Sequence, residues 1–429
     1  MKIMEDAKRT GIKRKTDKNA RSEHVSLTSA EKIKEITDKL EKGISDLFES
    51  DRYMKYLKVM SKLHNYSFNN SLLIAMQRPD ATMVAGYTSW KVNFHRNVNK
   101  GEKGIKILAP APYKINKDIE KIDPLTQKPI LGKDGKPIKE RVQVIVPAYK
   151  VTTVFDVSQT SGEKIPEITT ELKGDVKEYD QFYEAIKRTS PVPIEFRQIH
   201  DGANGYYHLQ DKIITIREGM SQMQNIKTAI HELSHAMLHD KDNGIEKENL
   251  PDSRTKEVEA ESIAYTVCQH YGIDTSEYSF GYIAGWSSGK ELDELKNSMN
   301  TIRSTASEII KGIDKEINLI KEDDKISQLA IDIESTLKKY KFYDDKRMNR
   351  GAIKKDIQES NVKDVQKWLH SIPKSKEYSE DVEKAADISE KLKAYSFNMK
   401  KEVISEKEQL LGGIEKENSV LKTHHRSHR

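Results

Sequence analysis

Thr228-Ala229-Ile230-His231-Glu232-Leu233-Ser234-His235-Ala236-Met237-Leu238-His239 is the stretch on which the reading of this chain turns. On a helix, His231 and His235 stand four residues apart, so both imidazoles leave the same face toward one ion. This is the HExxH form of a zinc hydrolase. Glu232 projects beside them, where a carboxylate takes a proton from water activated by the ion. Ile226, Ile230, Leu233 and Met237 follow i, i+4, i+7, i+11 and make one apolar stripe. The two histidines lie roughly 100–140° round the wheel from that stripe, so they face a cleft and not the core.

The third ligand is expected from a second helix over 253–271, where Glu257 and Glu261 share a face one turn apart. Glu257 is read as the ligand and Glu261 as its outer support, holding a histidine N–H or the ligand helix. Glu259, on the opposite side, is expected to face solvent. Two histidines and one glutamate leave a coordination position open for water, which marks a catalytic site. The bland alternative is a charged surface helix on which none of these acids binds metal. His239 reads as a helix-end hydrogen-bonding residue and Cys268 as a buried thiol too far along the axis to reach the ion. Tyr206, Tyr207 and Tyr265 are oxyanion candidates or packing residues. The strand expected at 212–216 is a candidate edge for an extended peptide.

At 429 residues the chain has room for two or three domains. With 33% charged and only 36% hydrophobic residues, part of it is expected to be exposed helix or disordered arm. The single cysteine excludes an internal disulfide framework and fits a reducing compartment. No apolar run approaches the ~18 residues of a membrane span, and the basic N-terminus has no apolar stretch of a signal peptide behind it. A cytoplasmic protein is therefore expected. Residues 1–21 hold eight Lys or Arg against three acids. That arm suits a polyanion or is simply a solvated terminus.

The periodicity predicts helices over 28–64, 69–78 and 87–96, with Thr28 or Ser29 as the first cap. A strand follows at 105–108, then a Lys-, Pro- and Gly-rich hairpin excursion over 113–141, returning as strands at 142–147 and 149–157. A boundary is placed in 158–175. Beyond it come a helix at 176–188, short strands at 193–198, 205–209 and 212–216, and the HExxH helix at 223–239. After about 290 the chain reads as Lys/Glu-rich helix with a frayed end, its apolar positions too irregular for a coiled coil.

The HExxH stretch, with Glu257-Val258-Glu259-Ala260-Glu261 downstream, resembles the gluzincin-type domains of ImmA/IrrE and ArdC-type proteins. In those families a Glu three residues before an Ala is the third ligand, which implies that role for Glu257. Thermolysin-like enzymes often carry Asp where Glu261 stands. A second resemblance runs through Asn69-Asn70-Ser71-Leu72-Leu73, Val84-Ala85-Gly86-Tyr87-Thr88-Ser89-Trp90, Val98-Asn99-Lys100-Gly101-Glu102-Lys103-Gly104-Ile105 and Val154-Phe155-Asp156-Val157-Ser158-Gln159-Thr160. These look like the N-terminal single-stranded-DNA-binding domain of ArdC-type antirestriction proteins. The two resemblances cover roughly 30–290. They imply an ArdC-like DNA-binding domain (28–165) and a zincin-like metallopeptidase domain (176–290); with the basic disordered arm (1–27) and the charged helical tail (291–429) read from composition, an α+β chain is expected.

Single-strand binders set aromatic faces beside cations. Tyr87, Trp90, Lys91, Phe94, Arg96, Lys100, Lys103 and Lys106 are the candidates here, although Tyr87, Trp90 and Phe94 at helical spacing also describe a core stripe. The leading expectation is a protein of a conjugative or mobile element. It would bind single-stranded DNA, carry Zn2+ and a peptidase site with a possible protein substrate, and protect DNA from restriction. The alternatives are a regulatory zinc protease that cleaves a repressor, with the first domain as a docking module, and a non-enzymatic DNA binder with an inert zinc site.

Overall fold

The computed structural model describes residues 28–395, apart from 124, 125, 127, 133, 166–175, 201, 239, 241–250 and 274–279. The basic arm, His239, part of the expected boundary segment and the end of the chain lie outside the described residues. The fold is mixed α+β. Among the described residues, no helix is long and apolar enough to cross a membrane.

Thr28 opens helix α1 (Ser29–Leu47) through a capping box, its hydroxyl accepting from the Glu31 N–H while the Glu31 carboxylate accepts from the Thr28 N–H. The single helix expected over 28–64 is two, because the chain turns at Phe48 and Glu49 before α2 (Ser50–Lys62). The turn lets Phe48 pack against Tyr53 and Trp286, with ring centroids 5.9 and 5.7 Å away. After α3 (Phe68–Gln77) comes β1 (Val84–Gly86). Helix α4 (Tyr87–Asn93) stops short of the expected residue 96, since His95 takes a positive φ of 50°. Residues Arg96–Val98 then form β2, paired with β7 (Thr160–Gly162).

Strand β3 (Ile105–Pro110) lies beside β6 (Tyr149–Asp156) in an antiparallel sheet of order β1-β6-β3. Its backbone is capped by side chains of α3. Gln77 exchanges hydrogen bonds with Lys106 N–H and C=O, and Asn70 does the same with Leu108. The expected hairpin excursion is a two-stranded ribbon, β4 (Tyr113–Glu120) paired with β5 (Lys139–Val146) along all eight residues.

The second half begins with α5 (Val176–Thr189) and a small sheet of order β8-β10-β9. Strand β10 (Ile213–Arg217) is central, parallel to β8 (Ile194–Arg197) and antiparallel to β9 (Gly205–His208). Helices α6 (Gln222–Leu238), α7 (Ser253–His270), α8 (Ile283–Ser287) and α9 (Leu292–Leu337) follow. The rest is α10 (Arg350–Gln358), α11 (Val362–His370) and a helix over 379–395.

One apolar core joins the two halves. Tyr53 and Leu57 of α2 and Ile263 and Val267 of α7 belong to it, and the Tyr53 hydroxyl sits 2.8 Å from Ser262 Oγ. The first part of the segment expected as a tail, 291–317, is not separate from this body. Leu295, Met299, Ile302, Ala306, Ile309 and Ile313 of α9 lie in the same core. The far end of α9 carries Ile326, Ala330, Ile333 and Leu337 into a second cluster with α10, α11 and Ile388.

Candidate metal centre and nucleic-acid face

Helix α6 lays Ile226, Ile230 and Leu233 into the core, each no more than 3% exposed. Its other side brings His231 and His235 toward α7. The two Nε2 atoms lie 3.1 Å apart, and Glu257 reaches them with Oε2 3.6 Å from His231 and Oε1 3.5 Å from His235. The three side chains can each offer a ligand atom within 4.8 Å of the others, and this is the group with metal-ligand character among the described residues. Two neutral imidazole nitrogens and one carboxylate oxygen are a donor set suited to a divalent cation with an open position. Helix α7 is fixed where Asp252 caps it by accepting from the Thr255 N–H, and Thr255 Oγ1 accepts from the Trp286 indole at 3.0 Å.

Electrostatics follow from this crowding. The adjacent imidazoles of His231 and then His235 hold the Glu257 carboxyl well below the usual carboxylate range. Burial works against charge on His231, but the bond to Glu257 and the carboxylates of Glu232, Glu257 and Glu261 raise its pKa. Burial pushes Glu232 up, partly offset by His231 and His235. The Tyr207 N–H of β9 also donates to the Glu232 carboxylate. Glu261 accepts from the Tyr282 hydroxyl, and burial raises its carboxyl. No spacing signal in the sequence pointed to Tyr282.

A cleft of about 460 Å³ opens here, lined by Tyr206, His231, Glu232, His235, Lys256 and Glu257. A second lobe, lined by Asn204, Gln224, Thr228 and Glu261, adjoins it at His231 and Glu232. The strand bordering the cleft is β9 and not the expected 212–216. Both sides of β10 are taken up by β8 and β9, whereas β9 is an edge. Gly205 lets β9 approach α6 closely, since a Cβ there would sit 2.7 Å from Thr228 Cγ2 and 2.9 Å from Thr215 O.

Some expectations are corrected. Glu259 does not face solvent; it is buried against α9 and accepts from Ser298 Oγ. Tyr265 is a packing residue with its ring against Phe280, and Tyr207 hydrogen-bonds Asp240. Cys268 is a buried thiol, as expected.

The aromatic and basic candidates of the first half divide between core and surface. Trp90 is wholly buried and donates its indole N–H to Phe155 O at 2.9 Å, so its face is closed to a base. Phe94 is half-buried, 5.0 Å from the Trp90 ring. Arg96 is turned onto β7, donating from Nε to Thr160 Oγ1 at 2.7 Å. Tyr87 is 58% exposed, and Lys91, Lys100, Lys103 and Lys106 are exposed with it. Lys106 Nζ lies 2.7 Å from Thr153 Oγ1. Sequence reasoning missed Phe155, whose ring meets Tyr87 edge-on at 6.4 Å; a lone aromatic in a strand carries no periodic signal.

Residues 28–155 match the N-terminal domain of anti-restriction factor ArdC, and residues 189–271 match the IrrE N-terminal-like domain of the M78 peptidase family. In this order along one chain, the two matches are the ArdC-type architecture that the sequence resembles. An uncharacterized protein of Bacillus anthracis is 30% identical over 395 residues, which is 86% of this chain and 64% of that protein, so the chain spans less than two thirds of that relative. The metal-free crystal structure of antirestriction ArdC from plasmid R388 is 20% identical, with a TM-score of 0.37 over 66% of this chain and 95% of that one. Its Mn(II)-bound structure is 18% identical, with a TM-score of 0.36 over 66% and 96%.

Proposed function

We propose that this chain is an antirestriction or DNA-protection protein of a mobile element. In this reading its first half binds single-stranded DNA and its second half is a zinc-dependent peptidase. The observation that carries the peptidase reading is the convergence of His231, His235 and Glu257 beside the buried Glu232, under the edge strand β9. The matched domain models support the pairing of the two activities on one chain.

His231, His235 and Glu257 would hold the cation. When bound, it would polarise a carbonyl and acidify a water. The chain's own residues do the rest. Strand β9 is an edge of its sheet, so an extended peptide can lie along it. Glu232, raised by burial and steadied by the Tyr207 N–H, is placed to accept a proton from water and return it to the departing amine.

The test is Glu232→Gln in the full chain, with metal content, turnover of a peptide library and DNA protection in a restriction challenge read side by side. Retained metal with peptidase turnover lowered by about 100-fold or more is expected for loss of a general base. A variant that keeps full turnover overturns the peptidase reading.

A further inference from the structure

Just past the end of α6 at Leu238, Asp240 carries a carboxylate that is buried, 7% exposed. A carboxylate taken out of water needs strong partners close by. Asp240 draws them from a different element, the hairpin of β9 and β10. The Tyr207 hydroxyl of β9 donates to its Oδ2 at 2.5 Å, and Lys212 Nζ, from the turn that leads into β10, donates to its Oδ1. Lys212 takes a left-handed φ of 53° in that turn, which a residue other than glycine rarely adopts. Its N–H donates to His208 O at 2.9 Å, so the turn is closed by its backbone and tied to Asp240 by its side chain.

Tyr207 is held at its other end too. Arg217 N–H of β10 donates to Asn204 O at 2.8 Å, and bonded positions alternate along an antiparallel ladder. Asn204 and Tyr206 therefore face β10 with their backbone groups, while Gly205 and Tyr207 turn theirs outward. The Tyr207 N–H is not used by β10 and donates to the Glu232 carboxylate. Glu232 and Asp240 lie on either side of His235 along the chain. One tyrosine thus spans from the end of the helix to the candidate base, with its hydroxyl on Asp240 and its amide on Glu232. Asp240 lies outside both lobes of the cleft, whereas Tyr207 lines one of them.

We propose that Asp240 is a positioning residue for Glu232. Through the Tyr207 hydroxyl and Lys212 it fixes the hairpin onto α6 at the height where the Tyr207 N–H holds the Glu232 carboxylate beside His231. This role rests on the peptidase reading above. Tyr207→Phe cuts the link to Asp240 while keeping the ring and the N–H, and Asp240→Asn keeps the shape while removing the charge.

The experiment compares the full chain with Tyr207→Phe, Asp240→Asn, Glu232→Gln and the Tyr207→Phe/Glu232→Gln double variant, on a peptide that wild type cleaves, at saturating concentration. Metal per chain should be unchanged in Tyr207→Phe and Asp240→Asn, since neither residue belongs to the candidate ligand set. Turnover should fall by about tenfold in each. Because Tyr207 acts through Glu232, the double variant should be no slower than Glu232→Gln alone. In the metal-free chain, hydrogen exchange at 205–208 should quicken by about tenfold in both single variants. Tyr207→Phe carries the test by itself if Asp240→Asn does not fold. Full turnover in Tyr207→Phe, a loss that simply adds to that of Glu232→Gln, or unchanged exchange at 205–208 overturns the positioning role and leaves the peptidase reading standing. A wild type that cleaves no peptide overturns both.

Discussion

Of the three side chains that converge between α6 and α7, Glu257 alone brings a negative charge, and both imidazole Nε2 atoms lie within 3.6 Å of its carboxylate. Glu257→Gln keeps the shape and removes the charge. Metal affinity should fall by more than the roughly 10–100-fold typical of losing an outer partner. Glu261→Gln, beside Tyr282, should fall within that range. Glu259→Gln should leave metal content unchanged and lower thermal stability instead, because Glu259 is buried against Ser298. Metal per chain and thermal midpoint, measured on all three variants, separate these roles; full metal in Glu257→Gln would remove it from the ligand set. That His231 and His235 share a face was legible because helical spacing determines it. Spacing on α7 offered Glu257 and Glu261 equally, and only the packing of α7 on α6 brings Glu257 to the two rings. The burial of Glu259 was not legible, because it depends on α9 arriving from some forty residues further along. Trp90 illustrates the same limit: an aromatic at helical spacing reads alike whether it stacks on a base or fills a core.

At the scale of elements, the ends of α2 and α7 meet α9 through two histidines. The rings of His64 and His270 are 5.1 Å apart and perpendicular. His64 Nδ1 lies 3.1 Å from Ser307 Oγ, and His270 Nδ1 lies 2.7 Å from Ser61 O. Burial, then His270, Lys311 and Arg303, push His64 down to about 4. Burial lowers His270 as well. The unfolded chain, with histidines near 6.5, therefore binds more protons than the folded one between about pH 4 and 6.5. Stability from this junction is complete above about pH 6.5 and is lost as pH falls toward 4, on the order of 3 kcal/mol for His64. Urea midpoints across pH 4–7.5 should show the decline, and His64→Gln should flatten it; an unchanged slope in that variant would assign the acid sensitivity elsewhere. Element types were largely legible from the sequence, because amphipathic period and turn residues are local. The split of 28–64 into two helices was not, since it is decided by Phe48 finding Trp286 across the chain.

At the scale of the whole molecule, the long α9 helix, about 69 Å for 46 residues, belongs to two cores. Its first half covers α5 and α7, the helix that carries Glu257 and Glu261, and its second half builds a separate helical cluster. Lys/Glu-rich composition hid this in the sequence, because a charged face and a buried stripe at positions 295, 299, 302, 306, 309 and 313 coexist on one helix. The division has a measurable consequence. A chain ending at Asp324 retains every α9 residue of the main core, including Ile313 and Ile317, and should keep its metal content and a cooperative melt. A chain ending at Lys290 strips Met299, Ile302, Ile309, Ile310 and Ile313 from that core. Each such loss costs about 2–5 kcal/mol against a total stability of about 5–15. That shorter chain should fail to fold and so should not assemble the metal site, even though His231, His235 and Glu257 are all still present. Metal per chain and a thermal melt on both truncations decide the matter. A cooperative, metal-binding chain ending at Lys290 would mean that the second half holds His231, His235 and Glu257 together without α9, and that the helix serves only the distal cluster.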